Sequence, residues 1–142
     1  MNSVYIFGPI YLSGKNYLPI YKHLNKLCKK YFKKVVGTYP DFWETKENPK
    51  EFYQRTYQVI TKCDLFIGEI TSPSFGVGME LQMAQEHKIP CIGICKEGFS
   101  TSNMILGLPT LKEIIYYKNL TDLSTKLEQI IIKYTNSLHY DI

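Results

Sequence analysis

The stretch Asp64-Leu-Phe-Ile-Gly-Glu-Ile-Thr-Ser-Pro-Ser-Phe-Gly-Val-Gly-Met-Glu80 narrows the possible folds more than any other part of the chain. Its apolar run, Leu65 to Ile67, reads as a strand buried on both faces, the kind found in parallel sheets. Thr71 to Ser74 breaks that run. Gly76 and Gly78 then allow a tight turn and a close approach of backbone to ligand. From about Val77 an apolar pattern of helical period begins, with Leu81, Ala84 and His87 along one side. The order is therefore strand, Ser/Gly-rich loop, helix. In open α/β sheets, ligands bind at the carboxyl ends of the strands, where such loops lie. Glu80 falls in the first turn of the expected helix, where the helix dipole favours an ionised carboxylate. A carboxylate at such a crevice is a candidate nucleophile. A plainer reading stands beside it: Glu is common in first turns, and a Gly-x-Gly loop often only shapes a turn.

The rest of the chain repeats the alternation. Ser3 to Phe7 reads as the first strand, stopped by Gly8-Pro9. Pro19 suits a first helical turn, and Ile20, Leu24, Leu27 and Tyr31 mark one helical face. Lys34 to Gly37 is a short second strand. Tyr39 to Asn48 is a loop rich in aromatic and acidic residues, able either to stack on a base or to pack Phe42 and Trp43 as core. Pro49 to Lys62 reads as a helix. Ile89 to Cys95 is the fourth strand, Ser102 to Leu106 a short helix, and Ile114 to Tyr117 the fifth strand. Leu120, Leu123, Leu127, Ile130, Ile131 and Tyr134 give a last amphipathic helix, followed by a loose tail from Thr135 to Ile142. This pattern predicts one α/β domain over residues 1–142, a doubly wound five-stranded parallel sheet of order 2-1-3-4-5. A phospho-acceptor receiver shares that fold, but needs acidic residues at the end of strand one, and Val4 to Gly8 has none.

Composition bounds the function. At 44% hydrophobic and 14% aromatic residues the chain is globular rather than disordered. A net charge of +4 suits a small anionic ligand without indicating a nucleic-acid polymer. Lys22, Lys26, Lys29, Lys30 and Lys33 read as a solvated helix face rather than a polyanion-binding stripe. Cys28, Cys63, Cys91 and Cys95 lie scattered in apolar segments. As strand residues, Cys91 and Cys95 sit roughly 13 Å apart, too far for a disulfide. No Cys/His spacing suggests zinc or another metal, and His23, His87 and His139 read as surface residues. Buried thiols, with no signal peptide and no membrane-length apolar run, lead us to expect a cytoplasmic protein without membrane association.

Cys63-Asp64 through Glu80, with Leu81 and Ala84, resembles the signature of the nucleoside 2-deoxyribosyltransferase superfamily. It is most similar to the branch of 2'-deoxynucleoside 5'-monophosphate N-glycosidases, whose Ser-x-Gly-Val-Gly-x-Glu pattern is met by Ser74 to Glu80. The resemblance extends to Val4–Ile10, Lys88–Pro90 and Ser102–Gly107. It implies that Glu80 attacks the anomeric carbon of the sugar and expels the base, with no cofactor. It further implies a substrate site formed by Gly8, Pro9, Ile10, Tyr11, Thr56, Ser74, Gly76, Gly78 and Ser102. The substrate would be a nucleoside or nucleotide, and the protein a homodimer or higher homo-oligomer, with Ser102 reaching the neighbouring subunit's site. Otherwise Ser102 is simply a helix N-cap.

Two departures matter. In the resembling glycosidases the first loop forms a phosphate cradle with a Ser and an Arg, where this chain has Pro9 and Tyr11; Ser13, Gly14 and Lys15 remain as donors, or the loop is an ordinary turn. Family members also carry an aspartate where ungapped alignment places Thr56, which can hydrogen-bond but cannot hold a charge or move a proton as Asp does. Either Asp41, Glu44 or Glu69 substitutes, or the substrate is held differently, or the chain is a nucleotide-binding module with weak or no chemistry.

Overall fold

The computed structural model describes residues 2–10, 16–43 and 46–137. Its elements are β1 (Ser3–Phe7), α1 (Leu18–Cys28), β2 (Lys34–Gly37), α2 (Pro49–Ile60), β3 (Leu65–Glu69), α3 (Phe75–Glu86), β4 (Cys91–Lys96), α4 (Asn103–Leu106), β5 (Leu111–Tyr117) and α5 (Leu120–Ser137). The five strands form one parallel sheet of order β2-β1-β3-β4-β5, as the alternation predicts.

The central strands β1, β3 and β4 are buried on both sides because helices cover both faces of the sheet. Successive side chains alternate across the sheet. Val4, Ile6, Leu65, Ile67, Ile92 and Ile94 therefore pack with Leu24, Leu27, Leu123, Leu127 and Ile131 of α1 and α5. Tyr5, Phe7 and Phe66 point the other way, into a cluster with Ile60 of α2 and Val77, Leu81 and Ala84 of α3. Tyr5, Phe7 and Phe66 meet one another ring to ring, with centroids 5.1–6.0 Å apart. Burying side chains of this size contributes about 1.5–3 kcal/mol each.

Some boundaries differ from expectation. Helix α3 starts at Phe75, two residues before Val77, because the Ser74 hydroxyl accepts from the Val77 N–H and caps it. Gly76 and Gly78 are thus helical residues rather than loop residues. Strand β4 begins at Cys91: Ile89 instead donates its N–H to Ala84 O and closes α3, and Pro90 contributes only its carbonyl, to Phe66 N–H. Strand β5 starts at Leu111, earlier than its apolar run, because as an edge strand it needs no continuous apolar sequence and carries Lys112 and Glu113. Helix α5 runs on to Ser137, so residues 135–137 are not a loose tail; residues 138–142 lie outside the described residues. The buried face of α1 is turned toward Tyr21 and Cys28, leaving Ile20 half-buried; the helix ends at Cys28, so Lys22 and Lys26 lie on it while Tyr31, half-buried, and Lys29, Lys30 and Lys33 follow it, and all five lysines are exposed.

Candidate active site

A cavity of about 340 Å³ opens at the carboxyl ends of β1 and β2, within the size range of small-molecule sites. Its floor is Tyr5 of β1 and Glu80 of α3. Gly8, Pro9 and Ile10 form one edge, Thr38 and Phe42 another, Phe52, Tyr53 and Thr56 of α2 a third. The start of α3 closes it with Ser74, Gly76, Val77, Met79 and Met83.

Among the described residues, Glu80 supplies the carboxyl group of the cavity lining. Tyr5 donates its hydroxyl to Glu80 Oε1 at 2.8 Å. Burial raises the Glu80 carboxyl to about 7, with the Tyr5 bond pulling the other way. This corrects the expectation of a carboxylate held ionised by the helix dipole. Because α3 starts at Phe75, Glu80 lies in the second turn rather than the first, where the dipole has largely faded and desolvation prevails. Glu80 keeps an open side to the cavity, so desolvation is greatest once a ligand displaces the water there. Tyr5 is held above the ordinary phenol range by burial and then by the Glu80 charge, which keeps it a proton donor.

Thr56 is 5% exposed, and its hydroxyl oxygen has no hydrogen-bond partner among the described residues. Leaving such a group unpaired costs about 1–3 kcal/mol. Thr56 is one of the residues that line the cavity.

The cavity gathers most of the residues expected from sequence: Gly8, Pro9, Ile10, Thr56, Ser74, Gly76 and Glu80. Tyr11 lies outside the described residues, as do Ser13, Gly14, Lys15 and Glu44. Gly78 sits in the first turns of α3 but is not part of the cavity wall. Ser102 is not part of it either; its hydroxyl caps α4, accepting from Met104 N–H at 3.1 Å. Gly8 serves packing as well as access: a methyl group there would sit 2.9 Å from Glu69 Cβ and overlap the Tyr21 hydroxyl. Phe42 is core and wall at once, 3% exposed and edge-on to Tyr5 and Phe52, with the Arg55 guanidinium over its ring. Trp43 packs edge-on against Tyr21.

Of the alternative acids, neither Asp41 nor Glu69 lines the cavity. Asp41 accepts from Gly37 N–H, and Glu69 is fully buried between Thr71 and Tyr117. The residue that sequence reasoning missed is Tyr5. It reads as one more apolar strand residue, although a phenol alternating with Phe7 toward the same face carries a polar end that needs a partner. Among the described residues, no group of His, Cys, Asp and Glu is placed to hold a metal, and all four cysteines are free. Among the described residues, no helix is long and apolar enough to cross a membrane.

Fold and site together define a doubly wound α/β protein with a partly desolvated carboxylate in its ligand crevice. No family model matches the chain. It is 30% identical over 112 residues to the 5-hydroxymethyl-dUMP N-hydrolase of Danio rerio, covering 74% of this chain and 78% of that protein. It is 35% identical over 96 residues to a Methanosarcina mazei protein named for 2'-deoxynucleoside 5'-phosphate N-hydrolase 1, covering 67% of this chain and 57% of the relative. The chain thus matches little more than half the length of that relative. Among solved structures, it superposes on the Clostridium botulinum CMP N-glycosidase with a TM-score of 0.65 at 20% identity, over 89% of this chain and 99% of that one. A 2-deoxyribosyltransferase from Leishmania mexicana gives 0.62 at 15% identity, over 90% and 98%; at these identities the likeness is one of fold. The chain belongs to the 2'-deoxynucleoside 5'-phosphate N-hydrolase family.

Proposed function

We propose that this chain cleaves the N-glycosidic bond of a 2'-deoxynucleoside or its 5'-monophosphate through a covalent glycosyl-Glu80 intermediate, by hydrolysis or by transfer to a second base. The observation that carries this reading is Glu80 at the floor of the cavity, with Oε1 engaged by Tyr5. That bond leaves Oε2 to attack. As the bond to the base breaks, positive charge builds on the sugar ring. Ionised Glu80 stabilises it and then bonds to the anomeric carbon, as in retaining glycosidases, while the base leaves with the bonding electron pair and takes a proton from solvent. Water, or the nitrogen of a second base, then attacks the same carbon and restores the carboxylate. The Thr56 hydroxyl pairs with a sugar hydroxyl. Phe42, Phe52 and Tyr53 supply the apolar and aromatic wall that a base requires. No metal or organic cofactor enters the reaction.

The protein acts as a homodimer or larger homo-oligomer, with Ser102 near the partner's cavity. Supporting this are Phe75, 97% exposed at the start of α3, Met104, 83% exposed on α4, and Tyr53 and Met79, exposed at the cavity mouth. Light scattering at micromolar concentration is expected to give at least a dimer; a stable monomer contradicts this part of the reading.

A nucleotide-binding module with weak or no chemistry is the second reading, favoured by Thr56 at the position where the family resemblance implies an aspartate. Incubation with a panel of deoxynucleosides and their monophosphates, with and without a free acceptor base, separates the two. Release of base supports the enzyme. Binding without release on every substrate supports the module.

A further inference from the structure

The C-terminal end of β3 buries a carboxylate that the proposed reaction does not use. Glu69 is fully buried. Its Oε1 accepts from the Thr71 N–H at 2.6 Å and its Oε2 from the Tyr117 hydroxyl at 2.7 Å. Removing a charge from water costs several kcal/mol, and apolar replacements of buried ionic groups are often as stable or more so. Strand register does not require it either, since the β3 backbone is paired on both sides. What Glu69 touches is informative. Its bond to Thr71 fixes the first residues of the crossover that leads to Ser74, the cap of α3. Its Cβ lies against Gly8, where an added methyl group would come within 2.9 Å. The neighbouring Tyr21 hydroxyl donates to Pro9 O at 2.6 Å, and the Tyr17 hydroxyl pairs with Ser72 Oγ at 2.6 Å. One side chain thus meets Gly8, on the Gly8–Ile10 edge of the cavity, and Thr71, on the approach to the second bordering segment, Ser74–Gly76.

We propose that Glu69 is a positioning residue: hydrogen-bonded to Thr71 and Tyr117 and packed on Gly8, it holds the two cavity-lining segments in register for the substrate. Its action is geometric, through the bonds to Thr71 and Tyr117, and does not depend on its charge. Glu80 is set separately, by Tyr5 and the body of α3. Disturbing Glu69 therefore weakens substrate binding more than the chemical step.

Two variants separate geometry from charge. Glu69→Leu removes both acceptors. Glu69→Gln keeps an oxygen for Thr71 N–H and turns its amide toward the Tyr117 oxygen, which can accept as well as donate. Each is compared with the parent below its own melting temperature. In Glu69→Leu, amide hydrogen exchange over residues 71–77 should quicken by ~10-fold or more relative to β4. KM for a 2'-deoxynucleoside 5'-monophosphate should rise ~10-fold with kcat within ~3-fold. Glu69→Gln should stay near the parent in exchange, KM and the pH profile of kcat. If Glu69→Leu does not fold, Tyr117→Phe removes one of the two bonds and should show smaller shifts in the same direction. Unchanged exchange and KM in a folded Glu69→Leu or Tyr117→Phe overturn the proposal, as does a Glu69→Gln impaired as much as Glu69→Leu. The kinetic arm rests on the N-glycosidase reading and the exchange arm does not. A parent that releases no base defeats that reading, while exchange still decides the role of Glu69.

Discussion

The Tyr5 hydroxyl and Glu80 Oε1, 75 residues apart in sequence, lie 2.8 Å apart and tie the first strand to the second turn of α3. A phenol donor stabilises the charged form of a carboxylate, so this bond opposes the upward pull of burial. Tyr5→Phe should move the acid limb of the pH–rate profile to higher pH. Its loss of kcat/KM should then be larger near about pH 6 than near about pH 8, by ~3–10-fold. Equal losses at the two pH values would show that Tyr5 acts on something other than Glu80 ionisation.

Glu80 itself should give the parent a rate that rises with pH and levels off above about 7. Stability should run the other way. A carboxyl raised from 4.5 to about 7 in the folded state binds its proton more tightly there than in the unfolded chain. Stability is therefore lost as pH rises from 4.5 through about 7. Glu80→Gln keeps an acceptor for Tyr5 and cannot ionise. Thermal unfolding should find it ~1–2 kcal/mol more stable than the parent near about pH 8, less than the full shift would give because Glu80 keeps an open side, and about equal near about pH 4.

Much of this arrangement is legible in the sequence. Strands β1 and β2 match their expected bounds because each is a short apolar run stopped by Gly. Sheet order follows from the alternation of elements, and Thr56, located by ungapped alignment on Asp64 and Glu80, lines the cavity. The rest depends on three-dimensional environment. The ionisation of Glu80 is not legible in the sequence, because helix position is visible there and desolvation is not. Gly78 belongs to the signature but not to the cavity wall, since nearness in a motif is not nearness in space. Tyr5 stayed hidden because its ring satisfies the strand pattern while its hydroxyl meets a partner far along the chain.

Thr56 offers a separation of stability from binding. Its hydroxyl is buried without a partner among the described residues, so Thr56→Val, nearly equal in volume, should leave the melting temperature unchanged or raise it. The same change should raise KM for a deoxynucleotide by ~5–10-fold, about 1 kcal/mol or slightly more of lost hydrogen bonding. A KM equal to the parent's would remove Thr56 from the substrate site.

Thr56→Asp tests the missing acid. A second carboxylate stabilises the ring cation but raises Glu80 further by like-charge repulsion. Because Glu80 already stands at about 7, the gain should be visible above that pH: roughly ten-fold faster base release near about pH 8, about 1.4 kcal/mol of barrier, and less near about pH 6. A variant that binds nucleotide yet is no faster at either pH would favour the binding-module reading.

Lys88 follows α3 with a φ of 56°, in the left-handed region, while Ile89 N–H closes the helix on Ala84 O at 2.9 Å. Glycine is the residue suited to that position. Lys88→Gly should raise stability by about 0.5–1 kcal/mol in denaturant unfolding, with activity unchanged.

The central claim is that Glu80 forms the bond to the sugar. Base release from a 2'-deoxynucleoside or its 5'-monophosphate, measured side by side for the parent and a folded Glu80→Ala, tests it most directly. Acid-quenched parent can be examined by peptide mass spectrometry for a sugar adduct. The account gives a loss of at least ~10³-fold in Glu80→Ala, and an adduct on the peptide containing Glu80 that the variant lacks. A Glu80→Ala protein that releases base like the parent would contradict it.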